Sequence, residues 1–148
     1  MQSSTNSYEE LIDVLEKEFS LCSELVALLQ KEKDVIAGMN MDALEMHLRD
    51  KQLVSSKIDI CEGSRERVLR SLGMADKSLT EIAECAGHDY RDRLSNISSK
   101  FKSIASSISE LNTLNGLLIE KSLFYIRSSR NFLTTFGINP QQRISVEA

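Results

Sequence analysis

This chain has few residues of the types that bind metals or catalyse reactions, and their spacing does not match known metal-binding patterns. A di-iron site in a helical bundle needs Glu-x-x-His pairs on facing helices. Glu45 precedes His47 by two residues and Glu84 precedes His88 by four, so neither pair fits. Cys85 lies three residues before His88, but a zinc site would need a second pair of ligands. The sequence therefore predicts no metal site.

Other reactive patterns are also missing from the sequence. There is no glycine-rich phosphate loop and no G-x-S-x-G nucleophile motif. The cysteines Cys22, Cys61 and Cys85 are an odd number without a close pair, which is typical of reduced thiols in a cytoplasm. A modest basic cluster is interleaved with Glu62 and Glu66, a pattern typical of a solvated helix face; its members are Arg65, Arg67 and Arg70. We expect no enzyme, no catalytic residue and no cofactor.

The composition indicates a cytoplasmic helical protein of one domain. Apolar residues make up 41% of the chain, with no Trp, one Pro and six Gly, which favours helices over sheets. The net charge of −4 argues against binding of nucleic acid. No apolar run approaches the ~20 residues of a membrane span, and the N-terminus lacks the pattern of a secretion signal.

The elements that must position any functional residue are helices, and one of them is very long. From Tyr90 to Phe136, apolar residues recur at alternating steps of four and three, and no proline interrupts them. This spacing predicts one helix of roughly 47 residues, ~70 Å long at 1.5 Å per residue. A helix of this length is stable only when it packs along other long helices.

Two further long helices are predicted upstream. The first runs from a capping box at Ser7 to Gly38, and the second runs from a cap at Asn40 or Asp42 to Gly73. If the chain runs up, down and up, the acidic first helix lies beside the basic long one, which is electrostatically favourable.

A short helix is predicted at 78–86, behind a second capping box. The predicted fold class is therefore all-α: an elongated antiparallel bundle of three long helices plus one short helix, with coiled-coil-like packing. We expect one bundle domain at 7–137, between a disordered N-terminus at 1–6 and a flexible C-terminal tail at 138–148.

The long predicted helix contains the dipeptide Asn115-Gly116, whose residues commonly occur in turns. A turn there would give a four-helix bundle. However, the apolar pattern stays in phase from Ile108 through Leu111 to Leu118, so we favour a continuous helix. Gly116 would then allow another backbone to approach closely, and Asn115 would fix the register as a buried amide, with a ligand contact as the alternative.

The two halves of the long helix differ in the width of their apolar face. Residues 98–109 surround a narrow stripe with serines, whereas from Leu117 onward apolar residues come in clusters seven positions apart. The second half is either the bundle centre or the binding surface for another protein's amphipathic helix. The shorter helices also leave roughly 25 Å of the long helix without a partner. The residues expected to contact a partner are Asn115, Leu118, Leu123, Tyr125, Ile126, Phe132 and Leu133.

The stretch Asn112-Thr-Leu-Asn115-Gly116-Leu-Leu-Ile119, followed by Ser122-Leu-Phe-Tyr125-Ile126, resembles the last helix of the FlgN-like flagellar export chaperones. The resemblance implies a cytoplasmic chaperone that binds the amphipathic C-terminal helices of hook-associated (hook-filament junction) proteins. Such a chaperone prevents premature assembly of these proteins and delivers them to the type III export gate. The chain itself would be a monomer or a weak homodimer. The alternative is a structural or regulatory coiled-coil protein that self-associates through the same apolar face.

Overall fold

The computed structural model describes residues 2–135 and 137, without the side chains of residues 2–4, 125, 126, 129, 132 and 133. It contains four helices: α1 (Gln2–Ala37), α2 (Met41–Ser71), α3 (Leu79–Cys85) and α4 (His88–Thr135). No strand occurs in these residues. The all-α class, with three long helices and one short one, is therefore confirmed.

The predicted caps of α2 and α3 are present. The Asn40 side-chain oxygen accepts hydrogen bonds from the backbone N–H groups of Asp42 and Ala43, which begins α2. Gly73 follows the end of α2 with a φ of +70°, a left-handed conformation that glycine adopts without strain. Ser78 and Glu81 form the expected capping box of α3. Local side-chain chemistry therefore sets these boundaries.

The start of α1 differs from the prediction. The helix begins at Gln2 instead of at a capping box on Ser7, so most of the residues expected to be disordered continue the helix. Contacts with α4 support this extension. Tyr8 stacks on Tyr90 with ring centroids 5.4 Å apart, and the Tyr90 hydroxyl donates a hydrogen bond to the Thr5 carbonyl at 3.4 Å. Tertiary packing has here overridden a local capping signal.

Helix α1 lies between the other two long helices. It packs on both α2 and α4, whereas in the described part of the chain no Cα atom of α2 lies within 8 Å of one in α4. Helix α3 packs on α4. The bundle is therefore open between α2 and α4, and α4 depends on α1 along most of its packed length.

Two ion pairs fix the antiparallel register of α1 and α2. The Arg65 Nη1 lies 2.9 Å from both carboxylate oxygens of Glu18, and the Lys51 Nζ lies 3.0 Å from Oε2 of Glu32. His47 Nε2 is 3.3 Å from the same Glu32 oxygen. Both glutamates are buried, so each needs its cationic partner. The two helices therefore run antiparallel, with later residues of α1 facing earlier residues of α2.

Helix α4 runs parallel to α1, and its C-terminal end projects beyond it. Glu9 pairs with Arg93 at 2.8 Å, and the Asn115 Nδ2 donates to the Leu29 carbonyl at 2.9 Å. Because α1 ends at Ala37, eight residues past Leu29, its end lies near residue 123 of α4. The last twelve residues of α4 extend about 18 Å farther at 1.5 Å per residue.

The main hydrophobic core lies at the opposite end, where α3 covers the junction of the three long helices. All four helices contribute to this cluster, whose largest members are almost fully buried. Its buried residues are Leu11, Ile12, Leu15, Val68, Leu69, Ile82, Ala83, Ala86, Leu94 and Ile97. We call this region the closed end. None of the described helices is long and apolar enough to cross a membrane.

Candidate protein-binding site

An apolar groove lies where α4 passes the C-terminal part of α1. Its volume is about 420 Å³. Leu29, Gln30 and Lys33 of α1 form one wall. The other wall comes from α4 and consists of Leu111, Leu114, Asn115, Leu117, Leu118 and Lys121. The groove is mostly apolar, with lysines at its edge.

A second depression continues this groove toward the end of α4. It measures about 640 Å³ and is lined by α4 alone, through Leu117, Glu120, Lys121, Leu123, Phe124 and Arg127. The two depressions share Leu117 and Lys121, so they form one continuous surface. We call this surface the distal groove.

Large apolar side chains of the distal groove are exposed to solvent. Leu114 is 56% exposed, Leu117 50% and Phe124 73%. Their spacing of three and seven residues places them on one face of α4. Contiguous exposed apolar surface commonly marks a site of protein binding. The interpretation of this half as a bundle centre packed by both shorter helices is wrong, because in the described residues no Cα atom of α2 lies within 8 Å of one in α4 and these side chains of α4 are exposed.

The structure places three of the predicted contact residues in the distal groove. Leu118 is half-buried and Leu123 is exposed, both with side chains on the groove. Asn115 is buried, and its amide N–H is already used on the Leu29 carbonyl, which supports its role in fixing the register. Four predicted residues belong to α4, but their side chains lie outside the described part: Tyr125, Ile126, Phe132 and Leu133.

Leu114, Leu117 and Phe124 line the distal groove but were not among the predicted contact residues. Each directly precedes a residue of the series that recurs at alternating steps of four and three along α4, namely Asn115, Leu118 or Tyr125. One residue is ~100° of helix rotation, so the exposed face is displaced sideways from the stripe. The signal that could have revealed them is that apolar residues in this part of α4 come in adjacent pairs, such as Leu117-Leu118 and Phe124-Tyr125.

Lys33 is another groove residue that sequence reasoning missed. It lies four residues after Leu29, where the helical spacing of apolar residues in α1 would place another apolar residue, and its side chain is exposed at the groove. A charged residue on an otherwise apolar stripe indicates that the packing surface ends there.

Gly116 was expected to allow the close approach of another backbone, and the structure does not show such an approach. Helix α4 continues through Asn115 and Gly116 without a turn, as predicted. However, a Cβ atom at Gly116 would meet no atom within 4 Å, so no other described backbone approaches it. The space beside this residue is open in the free chain.

The charged residues of the distal groove are mainly basic. Lys33, Lys121 and Arg127 line it, against the single acid Glu120. A ligand with an apolar face and acidic flanks would match both its shape and its charge. The groove thus has the properties of a helix-binding site.

Reactive chemistry is not indicated elsewhere in the described residues. They contain no group of three or more His, Cys, Asp or Glu side chains arranged to hold a metal ion. Burial raises the pKa of the Cys22 thiol, which favours the unreactive protonated form at neutral pH. The distal groove is therefore the candidate functional surface, and its exposed side chains are mainly apolar.

Comparison with known proteins agrees with a binding role. The family model described as FlgN protein matches residues 1–136. No curated protein and no solved structure gives a significant match. The family match covers all four helices, including the distal groove. The chain therefore belongs to the FlgN family of flagellar export chaperones.

Proposed function

We propose that this chaperone uses the distal groove to bind the amphipathic C-terminal helices of hook-associated proteins at the hook-filament junction. The observation that carries this proposal is the row of exposed leucine and phenylalanine side chains on α4, at the end of α1. An isolated chain gains nothing from this exposure, whereas a bound helix would bury it.

The length of the groove suits a helical client segment. From Leu111 to Arg127 the surface follows α4 for about 24 Å at 1.5 Å per residue. A client helix of about 16 residues would cover it, presenting apolar side chains at positions i, i+3, i+4 and i+7. Lys33, Lys121 and Arg127 would pair with acidic residues on its flanks.

Binding of this kind explains how a chaperone prevents premature assembly. A client segment that is disordered before assembly folds against α4, and its own apolar face is then unavailable to other subunits. We further propose that Tyr125, Ile126, Phe132 and Leu133 extend the contact surface along the projecting end of α4, for the client or for the export gate. The protein would act in the cytoplasm, by binding and not by catalysis, with no cofactor or nucleic acid.

The proposal can be tested with a labelled C-terminal segment of a hook-filament junction subunit from the same bacterium. The double variant Leu117→Asp, Phe124→Asp places two charges in the groove without touching the closed end. We expect its affinity for the segment to fall at least ~100-fold, since two apolar contacts are lost and their sites become charged. Fluorescence anisotropy measures this directly.

Leu48→Asp is the matched control. Leu48 is 52% exposed, close to the 50% of Leu117, but it lies on α2 and does not line the groove. We expect this variant to bind the segment as the natural chain does. Equal binding by the double variant, with its helix content intact, would exclude the distal groove. If the natural chain binds no junction segment and Leu117→Asp instead abolishes a homodimer, the coiled-coil alternative is correct.

A further inference from the structure

Two of the three cysteines lie where α1 and α2 pack together. Cys61 is buried and belongs to a series of buried α2 residues seven positions apart, with His47, Val54 and Val68. Because α2 packs on α1, this series faces α1. Cys22 of α1 is half-buried, and both thiols are free. The two cysteines are 39 residues apart in the sequence, so their spacing alone did not reveal a pair.

The ion pair between Glu18 and Arg65 shows that the two cysteines lie at the same level of the bundle. Cys22 comes four residues after Glu18 on α1, and Cys61 comes four residues before Arg65 on α2. Equal steps in opposite directions along two antiparallel helices end opposite each other. The register therefore places Cys61 across from Cys22.

The ion pair between Glu32 and Lys51 gives the same alignment independently. Cys22 comes ten residues before Glu32, and Cys61 comes ten residues after Lys51. Packed helices have axes roughly 8–10 Å apart, with Cα atoms ~2.3 Å from each axis. Facing Cα atoms are then about 4–6 Å apart, within the ~4–7 Å that a disulfide spans.

The electrostatics of Cys22 agree with this placement. Burial is the main cause that raises the pKa of its thiol. The carboxylates of Glu18 and Glu62 raise the pKa further, and Arg65 opposes them. A thiolate at Cys61 raises it as well, as expected when two sulfur atoms lie near each other. At neutral pH the protonated Cys22 thiol reacts slowly, so the pair closes only under sustained oxidation.

We propose that Cys22 and Cys61 form a dithiol site, which a small-molecule disulfide of the glutathione class oxidises to a disulfide between α1 and α2. The Cys22 thiolate, the more accessible of the two, attacks one sulfur of the oxidant and releases one thiol. The Cys61 thiolate then attacks the Cys22 sulfur and releases the second thiol. The chain loses two protons and two electrons, and the oxidant takes them up as two thiols. Excess thiol reverses both steps.

The disulfide would lock the α1–α2 hairpin and leave the distal groove open. A cross-link that closes a loop of this length removes conformational freedom from the unfolded chain, which stabilises the folded one. Neither cysteine lines the distal groove, and α4 packs on α1 and not on α2 in the described residues. Oxidation therefore acts on the stability of the bundle and not on its exposed apolar surface.

Oxidation of the full chain carrying Cys85→Ser tests the proposal. Cys85 is exposed, and its replacement removes the thiol that would link two molecules. In mixtures of oxidised and reduced glutathione, we expect an intact mass lower by two hydrogen atoms and a peptide map that joins Cys22 to Cys61. The unfolding temperature should rise by at least ~5 °C. The matched control adds Cys61→Ser, which should show neither the joined peptide nor the rise.

The same oxidation in urea separates a built site from chance pairing. The equilibrium constant for closure should be at least ~10-fold larger in the folded chain than in the unfolded one, because the register already holds the two thiols together. An equal or smaller constant in the folded chain would refute the proposal. So would a glutathione adduct on Cys22 that does not close, no reaction at all, or a disulfide that fails to raise the unfolding temperature.

Discussion

The two ends of α4 have the same helical geometry but different surroundings. At the closed end, Leu94 and Ile97 belong to a buried cluster to which α1, α2 and α3 also contribute side chains. At the distal end, α4 has only α1 beside it, and beyond residue 123 it has passed the end of α1 as well. Apolar residues are abundant at both ends, so composition does not distinguish them. The difference is how many neighbours are available to cover the same kind of residue.

This contrast separates stability from binding along one helix. The closed end holds the buried cluster, whose loss would unfold the chain. The distal groove exposes side chains of similar size that contribute little to the folded state of the free protein. A chaperone with this division can bind and release a client without unfolding its own core. The following predictions test whether the two ends are energetically as different as their packing suggests.

The largest expected effect is a core truncation at the closed end. Leu15 is fully buried, so Leu15→Ala should lower the free energy of unfolding by about 3 kcal/mol through lost burial and a residual cavity. Leu117→Ala, the equivalent change in the distal groove, should alter it by less than about 0.5 kcal/mol. Urea denaturation followed by circular dichroism measures both. Similar losses in the two variants would break the comparison.

A smaller loss is expected when the α1–α2 ion pair is broken at Arg65. Arg65→Met leaves the buried Glu18 carboxylate without its partner, and the free energy of unfolding at pH 7 should fall by about 2–3 kcal/mol. Partial exposure of the Arg65 side chain keeps the loss below that of a fully buried pair. Arg70→Met is the control, because Arg70 pairs with Glu66 at the surface. An equal loss in both variants would show that burial of Glu18 is unimportant.

Gly116→Ala tests whether the distal half of α4 is open. Because a Cβ at this position meets nothing within 4 Å, the substitution should raise the free energy of unfolding by about 0.5–1 kcal/mol through helix propensity alone. Thermal or urea denaturation checks the sign. A destabilised variant would show that another backbone does approach Gly116. Weaker client binding by the stabilised variant would place the client against this residue.

The smallest effect concerns the pH dependence of Glu18. Burial raises the pKa of its carboxyl above the usual 4.5, and Arg65 offsets this only in part. The folded state therefore holds the proton more tightly than the unfolded state does. This contribution to stability is fully present below pH 4.5 and is lost as the pH rises through the folded pKa.

Glu18→Gln resembles the protonated carboxyl and removes this pH dependence. The stability of the variant relative to the natural chain should therefore increase from pH 4 to pH 7. Denaturation at several pH values, with the exposed Glu45→Gln as control, measures the difference. A relative stability that decreases over this range would show that the ion pair with Arg65 outweighs the cost of burying Glu18.

The parts of the fold that the sequence predicted depend on local chemistry. The caps at Asn40 and Ser78 depend on residues only two or three positions away. The continuity of α4 across Asn115 likewise follows from apolar residues within a few positions of it. The early start of α1 was not predictable in this way, because its supporting contact involves Tyr90, far along the chain.

The candidate site was only partly predictable for the same reason. The sequence located it in the second half of α4 and named Leu118 and Leu123, which do line the groove. It did not predict which face would be exposed, since that depends on the absence of α2 from the side of α4. Leu117 and Phe124 lie one residue out of phase with the stripe, so a periodic pattern alone assigned them no role.

Hydrogen exchange with and without a client tests the central claim most directly. The probe is the isolated C-terminal segment of a hook-filament junction subunit, added in excess to the full chain. We predict that α4 from residue 111 onward exchanges rapidly in the free protein and becomes protected on binding, while residues 88–108 are protected in both states and change little. Protection confined to residues of α1 and α2 around Leu28 and Leu53, with no change in α4, would contradict the account.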